Sequence, residues 1–177
     1  MEETRRYAKA LTILFWLLTL ALLAFWFDGL MAERYNPNRH IAVQAATADE
    51  ELILQRNRQG HYVAPGTING HAVTFLLDTG ATLVAVPAEL GDALGLEPGA
   101  YRQLRTANGL AGVRATRIAR LGLGPFVFHD LRGDLNPGMR GDEILLGMNA
   151  LKHLEFTQRG DQLILRMNSG PADGRGE

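Results

Sequence analysis

Hydrophobic positions along the chain follow two different patterns. From Leu11 to Phe27 there are 17 residues without a charge. As a helix this stretch is about 26 Å long, near the lower limit for a hydrocarbon core. Ala8–Ala10 and Gly29–Ala32 lengthen it, and Lys9 can snorkel at its end. A cleaved signal peptide is the plainer alternative. However, no small-x-small site follows the apolar core, and Phe25-Trp26-Phe27 is bulky where cleavage would fall. Trp26 and Phe27 suit a membrane–water interface, and Arg5, Arg6 and Lys9 outweigh Glu2 and Glu3 on the N-terminal flank. The expectation is a single-pass signal anchor: residues 1–10 in the cytoplasm, a transmembrane helix over 11–31 and a polar tether over 32–58. The remainder would then lie on the periplasmic, extracytoplasmic side of the cytoplasmic (inner) membrane.

After residue 58 the pattern changes to short apolar runs separated by turn residues. His61–Ile68 and Ala72–Leu77 flank Asn69-Gly70, a two-residue type I′ hairpin signal. Leu83–Val86 predicts a short strand, and Pro87 opens a helical turn over Ala88–Leu94 that Gly95 stops. Tyr101–Ala107 and Leu110–Leu121 flank a second hairpin signal, Asn108-Gly109. A strand over Phe126–Leu131, a loop over residues 132–142, a strand over Ile144–Leu146 and a helix over Met148–His153 follow. Leu154–Thr157 and Gln162–Arg166 form a last hairpin around Arg159-Gly160, and residues 169–177 are a polar tail expected to be disordered. Many short strands with one or two short helices predict an all-β domain, a small closed barrel or sandwich, over residues 59–168.

Composition narrows the chemistry. A formal net charge of −1 gives no reason to expect nucleic acid. Without cysteine there is no thiol catalysis, disulfide or cysteine-ligated metal. The only serine is Ser169, in the tail, and the only lysines are Lys9 and Lys152, which argues against a serine hydrolase and a P-loop nucleotidase. His40, His61, His71, His129 and His153 are scattered with no zinc-binding pair. Carboxylate chemistry is left, with neither metal nor cofactor expected. Asp78 stands out because it ends the apolar run Val73–Leu77 and precedes Thr79-Gly80-Ala81-Thr82. A carboxylate so placed is either satisfied or used. One reading is a turn in which Asp78 accepts backbone N–H groups and Gly80 takes positive φ. The other is an acid–base group. Asp134, Asp142 and Asp161 lie beside glycines and are expected to be solvated turn carboxylates.

Three elements together resemble the retropepsin family of single-domain aspartic proteases, nearest its bacterial membrane-anchored branch, over residues 60–167. They are Phe75-Leu-Leu-Asp78-Thr79-Gly80-Ala81-Thr82, the hairpin tip Asn108-Gly109, and Ile144-Leu-Leu-Gly147-Met-Asn149-Ala-Leu151. The resemblance implies a closed acid-protease barrel with Asp78 catalytic and Thr79, Gly80 and Ala81 supporting its loop. It also implies a flap at Asn108 and Gly109 over a peptide or protein substrate, and a structural motif at Gly147 and Asn149. It further implies a homodimer in which each subunit lends one Asp. No second hydrophobic-Asp-Thr/Ser-Gly occurs in the chain. Retroviral members pair an acidic residue with an Arg where this chain has Thr82 and Met148, so both partners are replaced together. A plain exposed hairpin at Asn108-Gly109 and a non-catalytic peptide-binding or scaffolding module on the same fold are the alternatives.

Overall fold

The computed structural model describes residues 2–41, 50–106 and 109–168. They fall into two units, residues 1–35 and 36–177.

The first unit is a single helix, α1 (Glu2–Tyr35), of 34 residues, or about 51 Å. Its described apolar side chains from Leu11 to Phe27, with Leu14, Phe15, Trp16, Leu18, Leu22 and Phe25 among them, are all exposed rather than confined to one stripe. Thr19 is absorbed locally, its hydroxyl donating to Phe15 O at 2.8 Å. Among the described residues no helix is long and apolar enough to cross a membrane. The structure therefore does not by itself show the transmembrane helix expected over 11–31.

The second unit is built of strands. These are β1 (Glu51–Gln55), β2 (Val63–Ile68), β3 (His71–Leu77), β4 (Val84–Pro87), β5 (Tyr101–Thr106), β6 (Gly109–Leu123), β7 (Phe126–Asn136), β8 (Glu143–Leu146), β9 (Leu154–Arg159) and β10 (Gln162–Met167). One sheet has the order β2-β3-β8-β4-β7-β6-β5, and β2 also pairs with β6, Ile68 standing opposite Leu121. That extra pairing joins β2 and β6 into a closed ring and leaves β5 outside it, so the barrel expected from the short strands is present. The hairpin β2–β3 turns at Asn69 (φ 50°) and Gly70 (φ 88°), as the Asn-Gly signal predicts. Inside the ring Phe75, Ile68, Ile118, Leu121, Phe126, Ile144 and Leu146 are fully buried. Each is worth about 1.5–3 kcal/mol against exposure. A second sheet, β1-β10-β9, adds Leu54 and Leu165 to the same core.

Several expectations need correction. The segment 32–58 is not only a tether: Asn38 is buried, and its side chain bonds Gln55 O (2.9 Å), Val63 O (2.7 Å) and Gln55 N (2.8 Å). Ile41 packs on the core, and β1 pairs with the C-terminal β10. A buried amide recovers its lost hydration only by such bonds, so this segment is part of the folded unit. The expected loop over residues 132–142 begins late, because β7 continues to Asn136. Gly133 is there for close packing rather than a turn: a Cβ would stand 3.2 Å from both Val84 O and Ile118 Cδ1. The expected helix Ala88–Leu94 is two 3₁₀ turns, Ala88–Leu90 and Asp92–Leu94, stopped by Gly95 at φ 63°. The C-terminal helix α2 is only Met148–Leu151. β6 begins at Gly109, which lies in the strand opposite Thr106. Asn108 and the tail 169–177 lie outside the described residues.

Candidate active site

Asp78 stands where β3 leaves the barrel wall. The ladder delivers it: β3 runs parallel to β8 with Leu77 opposite Leu146, and Asp78 N then donates to Leu146 O at 3.1 Å. Leu77 N donates to Tyr62 O at 3.0 Å on the other side. The residue before the loop is thus held from both neighbours, which fixes the direction in which the carboxylate leaves the wall.

The loop closes on itself. Gly80 N donates to Asp78 Oδ1 at 2.8 Å and Ala81 N to Asp78 O at 3.2 Å. This is the Asx-type turn of the plainer reading, although Gly80 is not among the positive-φ residues. Asp78 stays partly buried while Thr79 and Gly80 are exposed. The Thr79 hydroxyl makes no hydrogen bond among the described residues, so the expected bracing by Thr79 is not seen there.

The second motif supports the first through main-chain bonds. Met148 N donates to Ala81 O at 2.8 Å and Asn149 N to Thr82 O at 3.0 Å. Gly147 permits this approach, since a Cβ there would lie 2.3 Å from Leu83 O and 2.8 Å from Ala81 O. Asn149 Nδ2 donates to Arg132 O at 2.7 Å, which ties α2 to β7, while its buried Oδ1 has no partner. Where an ion pair could have joined positions 82 and 148, Met148 packs against the core and two backbone bonds hold the segments together. Asp78, Thr79, Gly80, Ala81, Gly147 and Asn149 are thus one assembly. Gly109 belongs to a separate element, the far end of the β5–β6 hairpin, where it stands opposite Thr106.

Of the other carboxylates, Asp161 is an exposed turn residue bonded to Arg56 at 2.5 Å, as expected of a solvated group. Asp134 is not. It lies in β7 with its side chain 4% exposed and holds the guanidinium of Arg102 from β5. The sequence hides it because Gly133 beside it reads as a turn residue. No local signal marks it, because the burial of Gly133–Leu135 at the end of β7 is set by the strands packed against them. Asp130, at φ 57°, is fully exposed, and its hydrogen bonds from Arg117 hold its carboxyl below the usual range. A concavity of about 380 Å³ lined by Ala88, Asp92, Tyr101, Arg114, Leu135 and Pro137 sits at the base of the hairpin and takes no residue from the Asp78 loop. No cluster of metal-ligating side chains occurs among the described residues.

A closed β barrel with an Asp-Thr-Gly loop braced by a Gly-x-Asn element defines a retropepsin-like aspartic-protease domain. Its architecture is shared by a solved retropepsin-like aspartic protease from Rickettsia conorii, 27% identical, covering 70% of this chain and 96% of that one with a TM-score of 0.57. Residues 64–153 match the family described as "gag-polyprotein putative aspartyl protease", and the chain belongs to that aspartic-protease family. It is also similar to a Sinorhizobium sp protein described as "Uncharacterized protein in cobV 5'region", 30% identical over 134 residues. That match takes in 73% of this chain but spans only 58% of the relative's length.

Proposed function

We propose that this protein is a membrane-anchored aspartic endopeptidase in which Asp78 is catalytic only opposite its own copy in a homodimer. The observation that carries the reading is the held Asp78 loop. One carboxylate oxygen is fixed by Gly80 N–H, the strand end is bonded on both sides, and Ala81 and Thr82 are clamped by α2. A turn aspartate needs the first of these and none of the others.

Peptide hydrolysis without a metal or covalent nucleophile needs one group to take a proton from water and another to give one to the carbonyl oxygen. Two Asp78 carboxylates meeting at about 3 Å would repel by on the order of 5 kcal/mol at an effective dielectric near 20. That repulsion keeps the pair from ionising together, so they share one proton and supply one acid and one base. The exposure of Thr79 and Gly80 fits a half-site whose opposite wall belongs to a second chain. The outer edge of β9 offers a line along which two copies can pair. It has no strand partner beyond β10 among the described residues. Antiparallel self-pairing centred on Thr157 sets Glu155 against Arg159 of the copy, twice.

Membrane anchoring rests on α1. A helix whose apolar side chains are exposed all round needs an apolar surrounding, and its uncharged stretch of about 26 Å approaches a core of roughly 30 Å, the shortfall being met by Lys9 snorkelling and local thinning. The charge bias of the flank puts the N-terminus in the cytoplasm and the protease domain outside.

The test is cleavage of a mixed peptide library by the full-length chain in detergent, wild type against Asp78→Asn. Asn keeps the oxygen that accepts from Gly80 and loses the proton chemistry. The expected result is a fall in kcat of about 10²–10⁴ or more with an unchanged unfolding midpoint. Undiminished cleavage by pure Asp78→Asn protein refutes the proposal; binding without cleavage in the wild type favours the peptide-binding module.

A further inference from the structure

The β5–β6 hairpin is not uniformly attached to the barrel. From Arg114 onward β6 is laddered to β7, whereas Leu110–Val113 of β6 pairs with β5 alone among the described residues. β5 is itself the outermost strand of its sheet. The barrel wall therefore thins to a two-stranded ribbon, residues 102–106 with 109–113, at the row Tyr101–Arg114–Leu135. A two-stranded ribbon alone is marginally stable and free to bend at such a row.

Most bonds at this base stay on the wall side of the row. Gly99 N donates to Ala115 O (2.7 Å), Ala115 N to Ala100 O (2.9 Å) and Thr116 Oγ1 to Glu97 O (2.8 Å). Arg102 and Asp134 cross it. Arg102 is the first ribbon residue of β5, opposite Val113; Asp134 stands in the wall, opposite Ala115 of β6 and Ala85 of β4. Among the described residues no other ion pair joins ribbon to wall. The Asp134 carboxylate is almost wholly buried while the Arg102 side chain is one-third exposed. Swinging the ribbon outward would strip a buried charge of its cation, which is strongly unfavourable.

We infer that the Arg102–Asp134 pair is a hinge pin that sets the angle of the flap, so that both are positioning residues for substrate closure. This rests on the reading of the hairpin as a flap. β4, which flanks Asp134, is the strand into which the Asp78 loop runs, so the pin refers the flap to the far end of that loop. Loosening it lowers the fraction of molecules in the binding-competent arrangement, which weakens apparent affinity in proportion and leaves the chemical step alone.

The test uses the full-length chain in detergent with the double variant Arg102→Met/Asp134→Asn, which leaves no orphan buried charge, and Arg102→Lys, which keeps the cation. In the double variant, amides of residues 102–106 and 109–113 should exchange hydrogen about tenfold faster or more while those of β7 and β8 hold their protection. KM for a cleaved peptide should rise about three- to tenfold with kcat nearly constant, and Arg102→Lys should recover most of both effects. Unchanged ribbon exchange in the folded double variant, or acceleration spread evenly over the barrel, overturns the inference. If the wild type cleaves nothing, the peptidase reading fails and the exchange measurement still decides the hinge.

Discussion

Gly147→Ala puts the coupling between the two motifs to a severe test. The added methyl would stand 2.3 Å from Leu83 O, 2.6 Å from Leu83 C and 2.8 Å from Ala81 O. These are main-chain atoms of the segment that follows Asp78, so no side-chain rotation relieves the overlap. The φ of Gly147 is −86°, which any residue adopts, so the cost is contact and not backbone conformation. A tolerable C···O approach is roughly 3.3 Å, so the two segments must part by about 1 Å. At that separation the bonds from Met148 N to Ala81 O (2.8 Å) and from Asn149 N to Thr82 O (3.0 Å) are lost. Two hydrogen bonds at about 1 kcal/mol each and overpacking strain of about 1–3 kcal/mol give about 3–5 kcal/mol. Urea unfolding followed by circular dichroism reads that loss; tryptophan fluorescence would not, because Trp16 and Trp26 both lie in α1. A loop displaced by 1 Å should also cost the folded fraction about 10²-fold in cleavage. A stability change below about 1 kcal/mol with full cleavage would refute the claim that Gly147 holds the Asp78 loop by close approach.

Other perturbations address separate parts of the structure. Asn38→Ala removes three hydrogen bonds of a buried side chain and should cost about 2–4 kcal/mol in urea unfolding; no loss would return this segment to a mere tether. Glu155→Arg sets like charges across the proposed β9 seam and should weaken self-association in analytical ultracentrifugation, and adding Arg159→Glu should restore it. If neither changes association, the subunits meet elsewhere. Arg117→Ala should raise the Asp130 pKa toward the ordinary carboxylate value in an NMR titration. Because the folded value is depressed, the pair's stabilisation is present above the unfolded pKa and fades as pH falls through the folded one. Asp130 is fully exposed, so added salt should shrink the effect.

The motif residues were legible because their chemistry is local. An apolar run that ends in Asp-Thr-Gly, and an apolar triplet that ends in Gly-x-Asn, each state a strand, its end and the turn beyond it. Asn69-Gly70 named its own turn for the same reason, since positive φ at two successive positions is a property of those residues. Glycine misled where its reason was contact rather than conformation. Gly133 admits Val84 O and Ile118 to the strand, and nothing in its neighbours along the chain says so. Asp134 was lost with it, although it is the most deeply buried carboxylate among the described residues.

What the amino-acid sequence determined by itself, then, was most of the strands after residue 58, the position of Asp78 at a strand end, the exclusion of thiol and serine chemistry, and the presence of one such loop per chain. The tertiary structure decided which segments meet. It folded Asn38 and β1 into the domain, joined β2 to β6 to close the ring, and set Gly147 against Leu83. It also brought Arg102 over Asp134 across 32 positions of sequence. The physical reason is that strand order and close approach are long-range pairings. Propensity and periodicity report on neighbours along the chain, whereas a buried charge or a missing Cβ is explained only by the atoms opposite it.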